Sequence, residues 1–157
     1  MAKNGTKVAT GGLIALLMLL TAACSKKENL TLRNEQFPLV AVGNSGISGT
    51  VFIAENLDSS FNVTIRLNSS VRDSVHIMNV YNGDQNNTAN IALKLSDIRG
   101  TGGAVIGETK NIRQAVEYTG NYSQVTYDKV LKQTMVVKVF LSQHRSDSLL
   151  CRGEIGK

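Results

Sequence analysis

Much of what usually builds a catalytic or metal centre is scarce in this 157-residue chain. It holds two histidines, His76 and His144, and two cysteines, Cys24 and Cys151. Nucleophilic catalysis needs a nucleophile, a base and a group that orients the base. Neither histidine stands in a nucleophile context, so hydrolase chemistry is not expected. There is no G-x-S-x-G elbow, no P-loop and no dinucleotide fingerprint. Gly100-Thr101-Gly102-Gly103 reads as a turn and not a phosphate cradle, because no lysine and helix start follow it. Aromatics make up 5% of the chain and do not interleave with basic runs, so nucleic-acid binding is not expected. Internal repeats are absent, and no long apolar stripe of helical period lies beyond the N-terminal run. A helical core is thereby excluded. The one long hydrophobic run, Leu13–Ala23, is shorter than the roughly 20 apolar residues a membrane-spanning helix needs.

What is present begins with that run. Lys3 and Lys7 give a basic start, Leu13–Ala23 is apolar to small, and Ala22-Ala23 stand directly before Cys24. Basic, apolar and small-residue parts in this order make an export signal. Its end resembles a lipobox, the short signal read by lipoprotein signal peptidase, with Thr21 where the usual pattern has leucine. The resemblance makes Cys24 the new first residue and the lipidation site. Two or three acyl chains there hold a protein on a membrane stably, since each buried methylene adds about 0.8 kcal/mol. Ser25 following the cysteine resembles the sorting pattern that does not retain a lipoprotein in the inner membrane. The expected location is the outer membrane of a Gram-negative cell, periplasmic or surface face.

The remaining balance is modest. Basic residues number 17 and acidic residues 12, and the leader holds two of the lysines and no acid. This mild excess speaks to solubility more than to a polyanionic partner. The length fits one domain plus a tether, and such a domain can bury a core without disulfides. With Cys24 acylated, Cys151 has no partner. Its setting, LLCRGEI, predicts a buried, inert thiol. The expected organisation is a signal peptide over 1–23, a flexible tether over 24–36 and a β-domain over 37–157.

Along that domain the pattern has period two. Phe37–Val42 carries the only proline, Pro38, and suits an edge or first-pairing strand. Ser48–Glu55 and Phe61–Leu67 predict an antiparallel hairpin, with Phe61, Val63, Ile65 and Leu67 on one face. Further strands are expected at Ser74–Tyr81, Ile91–Ile98, Ala104–Glu108, Ala115–Tyr122, Met135–Ser142 and Leu149–Ile155. Thr126–Lys132 predicts one or two helical turns with Thr126 as cap. Short strands at regular spacing between Gly, Asn, Asp and Ser turns mean an all-β fold. The expectation is an antiparallel Greek-key or immunoglobulin-like sandwich, or a barrel, with one short helical turn.

Four stretches in this order carry a family likeness. They are Gly49-Thr50-Val51, VHIMNVYNG at Val75–Gly83, TYDKVLK at Thr126–Lys132, and MVVKVFLS followed by LLCRGEIG. Together they resemble the CHRD domain, the module repeated in chordin and found alone in bacterial lipoproteins. The resemblance implies extracellular binding for the chordin repeats and no activity for the stand-alone bacterial versions. The expected role is a structural or interaction module whose loops or exposed strand edge take a protein or glycan partner, with no catalysis and no cofactor. The family's histidine cluster falls here on Asp73, His76, Met78 and Phe140, so only His76 is kept. The family's His-x-His strand is also similar to the copper-ligand strand of Cu/Zn superoxide dismutases. That leaves a copper-binding or redox alternative.

His76 and Met78 share one strand face, and with Asp73 they could make a soft copper site. The competing reading puts His76 on the wet face and Met78 at a border. A metal site needs three or four converging donors, so no metal ligand is assigned. His144 is expected to be solvated. Asp84 with Asn86 and Asn87 lacks the spacing and closing glutamate of a calcium loop. The Asn-x-Ser/Thr triplets at Asn62, Asn68 and Asn121 read as strand-surface composition, not as glycan sites.

Overall fold

The first strand, β1, spans Thr31–Ala41 and starts earlier than the sequence pattern suggested. The computed structural model describes residues 31–116 and 120–157, so the expected signal peptide, Cys24 and the expected tether up to residue 30 lie outside the described residues. Residues 31–36 were expected to belong to that tether. They are strand because each finds a backbone partner or neighbour on β2, Gly49–Asn56, with Glu35 opposite Ile53 and Phe37 opposite Val51. Their polar side chains hide a strand whose stability comes from pairing with a more apolar neighbour.

The expected hairpin forms. β2 pairs with β3, Phe61–Leu67, in register Val51 to Ile65 and Ile53 to Val63. Alternation then places Phe61, Val63, Ile65 and Leu67 inside, each at most 2% exposed. The turn is held by its own polar groups. Asp58 Oδ1 accepts from the Ser60 backbone N–H at 3.0 Å, and buried Asn56 donates to Ser60 Oγ and Asn62 Oδ1. Such side-chain bonds to nearby backbone are why Asn, Asp and Ser favour turns.

The remaining elements follow in order. They are β4, Val75–Gly83; β5, Thr88–Lys94; β6, Ile98–Arg99; β7, Val105–Ile112; β8, Gln114–Val116; and β9, Tyr122–Gln124. Then come α1, Tyr127–Lys132; β10, Met135–Ser142; and β11, Arg145–Ile155. The expected strand over Ala115–Tyr122 is instead two short strands, with 117–119 between them outside the described residues.

One antiparallel sheet runs β5-β4-β10-β11-β1-β2-β3-β7, with β6 paired beside β5 on the same edge of β4. It is a continuous hydrogen-bond path that curls into a half-barrel, so of sandwich and barrel the chain adopts the barrel-like form. The curl brings the two ends of the sheet together. Gly107 on β7 lies so close to Ile98 and Met78 that a Cβ there would sit 2.2 Å from Ile98 Cγ1. Beside it the Ser96 backbone N–H donates to Thr109 Oγ1 at 2.7 Å. The core fills the interior from both halves, with Leu39, Ile53, Phe61 and Ile65 meeting Met78, Val80, Met135 and Ile155.

α1 closes one end. Thr126 caps it by accepting from the Lys129 backbone N–H, and Tyr127 and Val130 turn into the core. Arg33 clips the helix to the sheet. Its guanidinium donates to Glu55 at 2.6 and 2.9 Å and to Asp128 at 3.1 and 3.2 Å, and it lies over the Tyr127 ring. The hydrogen bonds from Arg33 hold both carboxyls below their ordinary range. Arg33 and Asp128 face water and Glu55 is half-buried, so solvent screens the cluster and its worth is geometric placement more than free energy.

Candidate functional site

The residues singled out in the sequence do not come together. His76 is fully buried, which corrects the expectation of a wet-face histidine. The physical reason is the pleat: Met78 and Val80 point inward on β4, so His76, two residues earlier, must do the same. Its ring is fully engaged. The Val71 backbone N–H donates to Nε2 at 3.2 Å, and Nδ1 stands 2.9 Å from the Leu141 carbonyl. A backbone N–H can only donate, so Nε2 is the acceptor and the proton sits on Nδ1, which donates to Leu141. Leu141 has a carbonyl to spare because the β10–β11 register slips between Phe140 and Ser142.

Around the ring the chain is drawn tight. The Gly100 backbone N–H donates to the Ser74 carbonyl at 2.8 Å, and a Cβ on Gly100 would meet His76 Nε2 at 3.0 Å. Ser70 Oγ donates to the Gly103 carbonyl and accepts from the Thr101 N–H. Gly100–Gly103 is therefore a turn, as its composition suggested, and its job is to wall in His76. Met78 is buried against Gly107 and not at a border. Asp73 sits on the exposed rim, in a left-handed turn conformation with φ 60°. It lines an open cleft of 480 Å³ with Asp97 and exposed His144. Among the described residues no three His, Cys, Asp or Glu side chains converge on one point.

Cys151 is buried and has no partner among the described residues, as LLCRGEI implied, at the position on β11 that pairs with Val139 and Ala41. Burial pushes its thiol up to about 12. The sign follows directly. The folded state holds the proton more tightly than the unfolded chain, so this contribution to stability is complete below pH 9 and is lost as pH rises toward 12. A thiol-specific disulfide reagent is expected to leave Cys151 untouched in native protein and to modify it fully in denaturant. Cys151→Ala is expected to flatten the alkaline fall in stability; an unchanged pH profile would show that the thiol does not drive it.

Asp84 closes its own loop, its Oδ1 accepting from the Asn86 and Asn87 backbone N–H groups at 2.8 Å each. Asn62 and Asn68 are structural: Asn62 braces Asn56, and Asn68 Oδ1 accepts from the Ser48 N–H. Asn121 is exposed.

Two clefts that the sequence did not disclose flank the β8–β9 hairpin. Alternation along the hairpin assigns most of its side chains to one or the other, and Val116 borders both. Gln114 pairs with Gln124, and Val116 with Tyr122, and these four line a cleft of 470 Å³ with Lys94, Asn111, Ile112 and Arg113. Ala115 and Ser123 point the other way, into a cleft of 340 Å³ that also takes Asn82, Asn90, Lys129 and Met135. The Asn90 amide nitrogen is buried there without a hydrogen-bond partner among the described residues. Arg113 fixes the base of the hairpin by donating to the Asp58 carbonyl and to Asp58 Oδ2 at 3.0 and 2.6 Å. Both clefts lie in the range of small-ligand sites; amides and the Tyr122 hydroxyl are prominent in the larger, whereas Ala92, Ala115, Val116, Val125 and Met135 give the smaller a more apolar lining. Their residues are scattered from 82 to 135, and no local motif marks them.

No family model, curated protein or solved structure matches this chain.

Proposed function

We propose that this chain is a lipid-anchored cell-envelope protein whose CHRD-like β-domain acts as a structural or binding module, without catalysis. The observation that carries the reading is the basic, apolar and Ala22-Ala23-Cys24 order at the N-terminus. Acylation of Cys24 would place the domain on the outer membrane, and the segment up to β1 would hold it off the lipid. The stretches that carry the likeness to CHRD domains fall on regular elements. Gly49-Thr50-Val51 opens β2, Val75–Gly83 is β4, Thr126 caps α1, and the closing pair is β10 with β11. The larger cleft beside the β8–β9 hairpin, with Asn111, Gln114, Gln124 and Tyr122 in its lining, suits a partner recognised through hydroxyls and amides, which favours a glycan over an apolar ligand. The copper reading is not carried forward, because backbone groups occupy both His76 ring nitrogens.

The test is metabolic labelling of the full chain in a Gram-negative host. Wild-type protein is expected to incorporate labelled palmitate and to fractionate with membranes, and globomycin is expected to make the uncleaved precursor accumulate. Cys24→Ala is expected to abolish the label and to leave membrane association at least tenfold lower, since one chain alone already binds only marginally. Processing that ignores globomycin would overturn the reading.

A further inference from the structure

The larger cleft beside the β8–β9 hairpin has a composition that its fold role does not require. We propose that it binds an acidic saccharide, with one sugar ring laid on Tyr122. The inference rests on reading the domain as a binding module and names the ligand class of that module.

Four features carry it. Tyr122 is 65% exposed, although its cross-strand neighbour Val116 is half-buried. The ring thus stands on the cleft side of the hairpin as an accessible flat surface. The apolar face of a pyranose packs on such a surface, and the phenol hydroxyl can reach a sugar hydroxyl. Gln114 and Gln124 are paired across the hairpin on the same face as Tyr122. Primary amides both donate and accept, which matches hydroxyls that do the same. Lys94 and Arg113 bring positive charge to the wall, and among the described residues no Asp or Glu lines it. Arg113 is already bonded to Asp58, so Lys94 is the group assigned to the ligand's carboxylate. Lastly, the wall is braced: Arg113 locks the hairpin base and Asn111 is tied to β3 through its N–H to Asn62 Oδ1 at 2.9 Å. A pre-formed wall reduces the ordering cost of binding.

The smaller cleft is the weaker candidate. It has the unpartnered Asn90 amide but no aromatic surface among its lining residues.

Detergent-purified full chain is titrated with trigalacturonate, and with maltotriose as the neutral counterpart, by isothermal calorimetry. Saturable binding of trigalacturonate is expected, tighter than maltotriose and weakened by salt. Tyr122→Ala is expected to lower its affinity about tenfold. Lys94→Gln is expected to erase the preference for the charged sugar, bringing the affinity for trigalacturonate down to that for maltotriose. Both side chains are exposed, so the thermal transition should not move; Gln114→Ala gives a second reading of the same wall. No saturation below about 10 mM, binding indifferent to Tyr122→Ala and Gln114→Ala, or equal affinity for the two sugars each overturns the proposal. Failure here with Cys24 still labelled by palmitate removes the ligand and keeps the anchored module. Binding without labelling does the reverse.

Discussion

His76→Leu is expected to lower the unfolding free energy by about 2–4 kcal/mol, measured by urea denaturation of the full chain. Leucine fills most of the ring's space, so the loss comes from hydrogen bonding and not from a cavity. The Val71 N–H and the Leu141 carbonyl, both part-buried, each lose their partner, and an orphaned buried group costs about 1–3 kcal/mol. The midpoint should fall while the slope with denaturant stays constant, because the surface exposed on unfolding is unchanged. His76→Asn can replace one of the two bonds and is expected to recover about 1 kcal/mol. Hydrogen exchange gives a local check: the Val71 amide should lose protection in His76→Leu ahead of the β2–β3 core. A variant as stable as the parent, within about 0.5 kcal/mol, would mean that the ring does not hold these loops.

The second large effect is expected at Gly153→Ala, a loss of about 3 kcal/mol or more by the same measurement. β1 bonds β11 through only two register positions, Val40 to Arg152 and Ala41 to Cys151. That short ladder joins the half built from β5, β4, β10 and β11 to the half built from β1, β2, β3 and β7. Gly153 lies next to it, where the two strands cross. A Cβ at Gly153 would stand 2.1 Å from the Pro38 carbonyl oxygen and 3.0 Å from Leu39 Cδ2. The first obstacle is backbone and cannot swing away as a side chain can, so the crossing must open. Gly103→Ala is the control. Its Cβ meets nothing nearer than Thr101 Oγ1 at 4.0 Å, and its effect should stay within about 0.5 kcal/mol. Equal stability of the two variants would sink the crossing argument.

Pro38 shows how far a local rule reaches. A proline in a strand argues for an edge, yet β1 is a central strand of the sheet. The rule is respected in a way that only the assembled sheet displays. Pro38 pairs with Thr50 on β2, and β11 joins β1 only from Val40 onward, so no β11 ladder bond calls on the missing N–H. Residues 31–36 tell the same story from the polar side, since their strand exists because β2 lies beside it. His76 is the sharpest case. Strand β4 carries polar or large residues on both faces, so its alternation did not say which face was inside. Val63 and Ile65 on β3 left no such choice, and there the expectation and the fold coincide.

By itself, the order of residues determined the strand-rich class, the β2–β3 hairpin, the capped helix at Thr126, the inert setting of Cys151 and the expectation of an acylated Cys24. These depend on neighbours within a few positions: side-chain alternation, turn chemistry and a three-part leader. The tertiary structure alone decided that the sheet is one curled path, that His76 serves backbone groups 5 and 65 residues away, and that Lys94, Gln114 and Tyr122 share a wall. The reason is that long-range pairing is selected by which apolar faces can be buried together, and that choice is made by the whole chain at once.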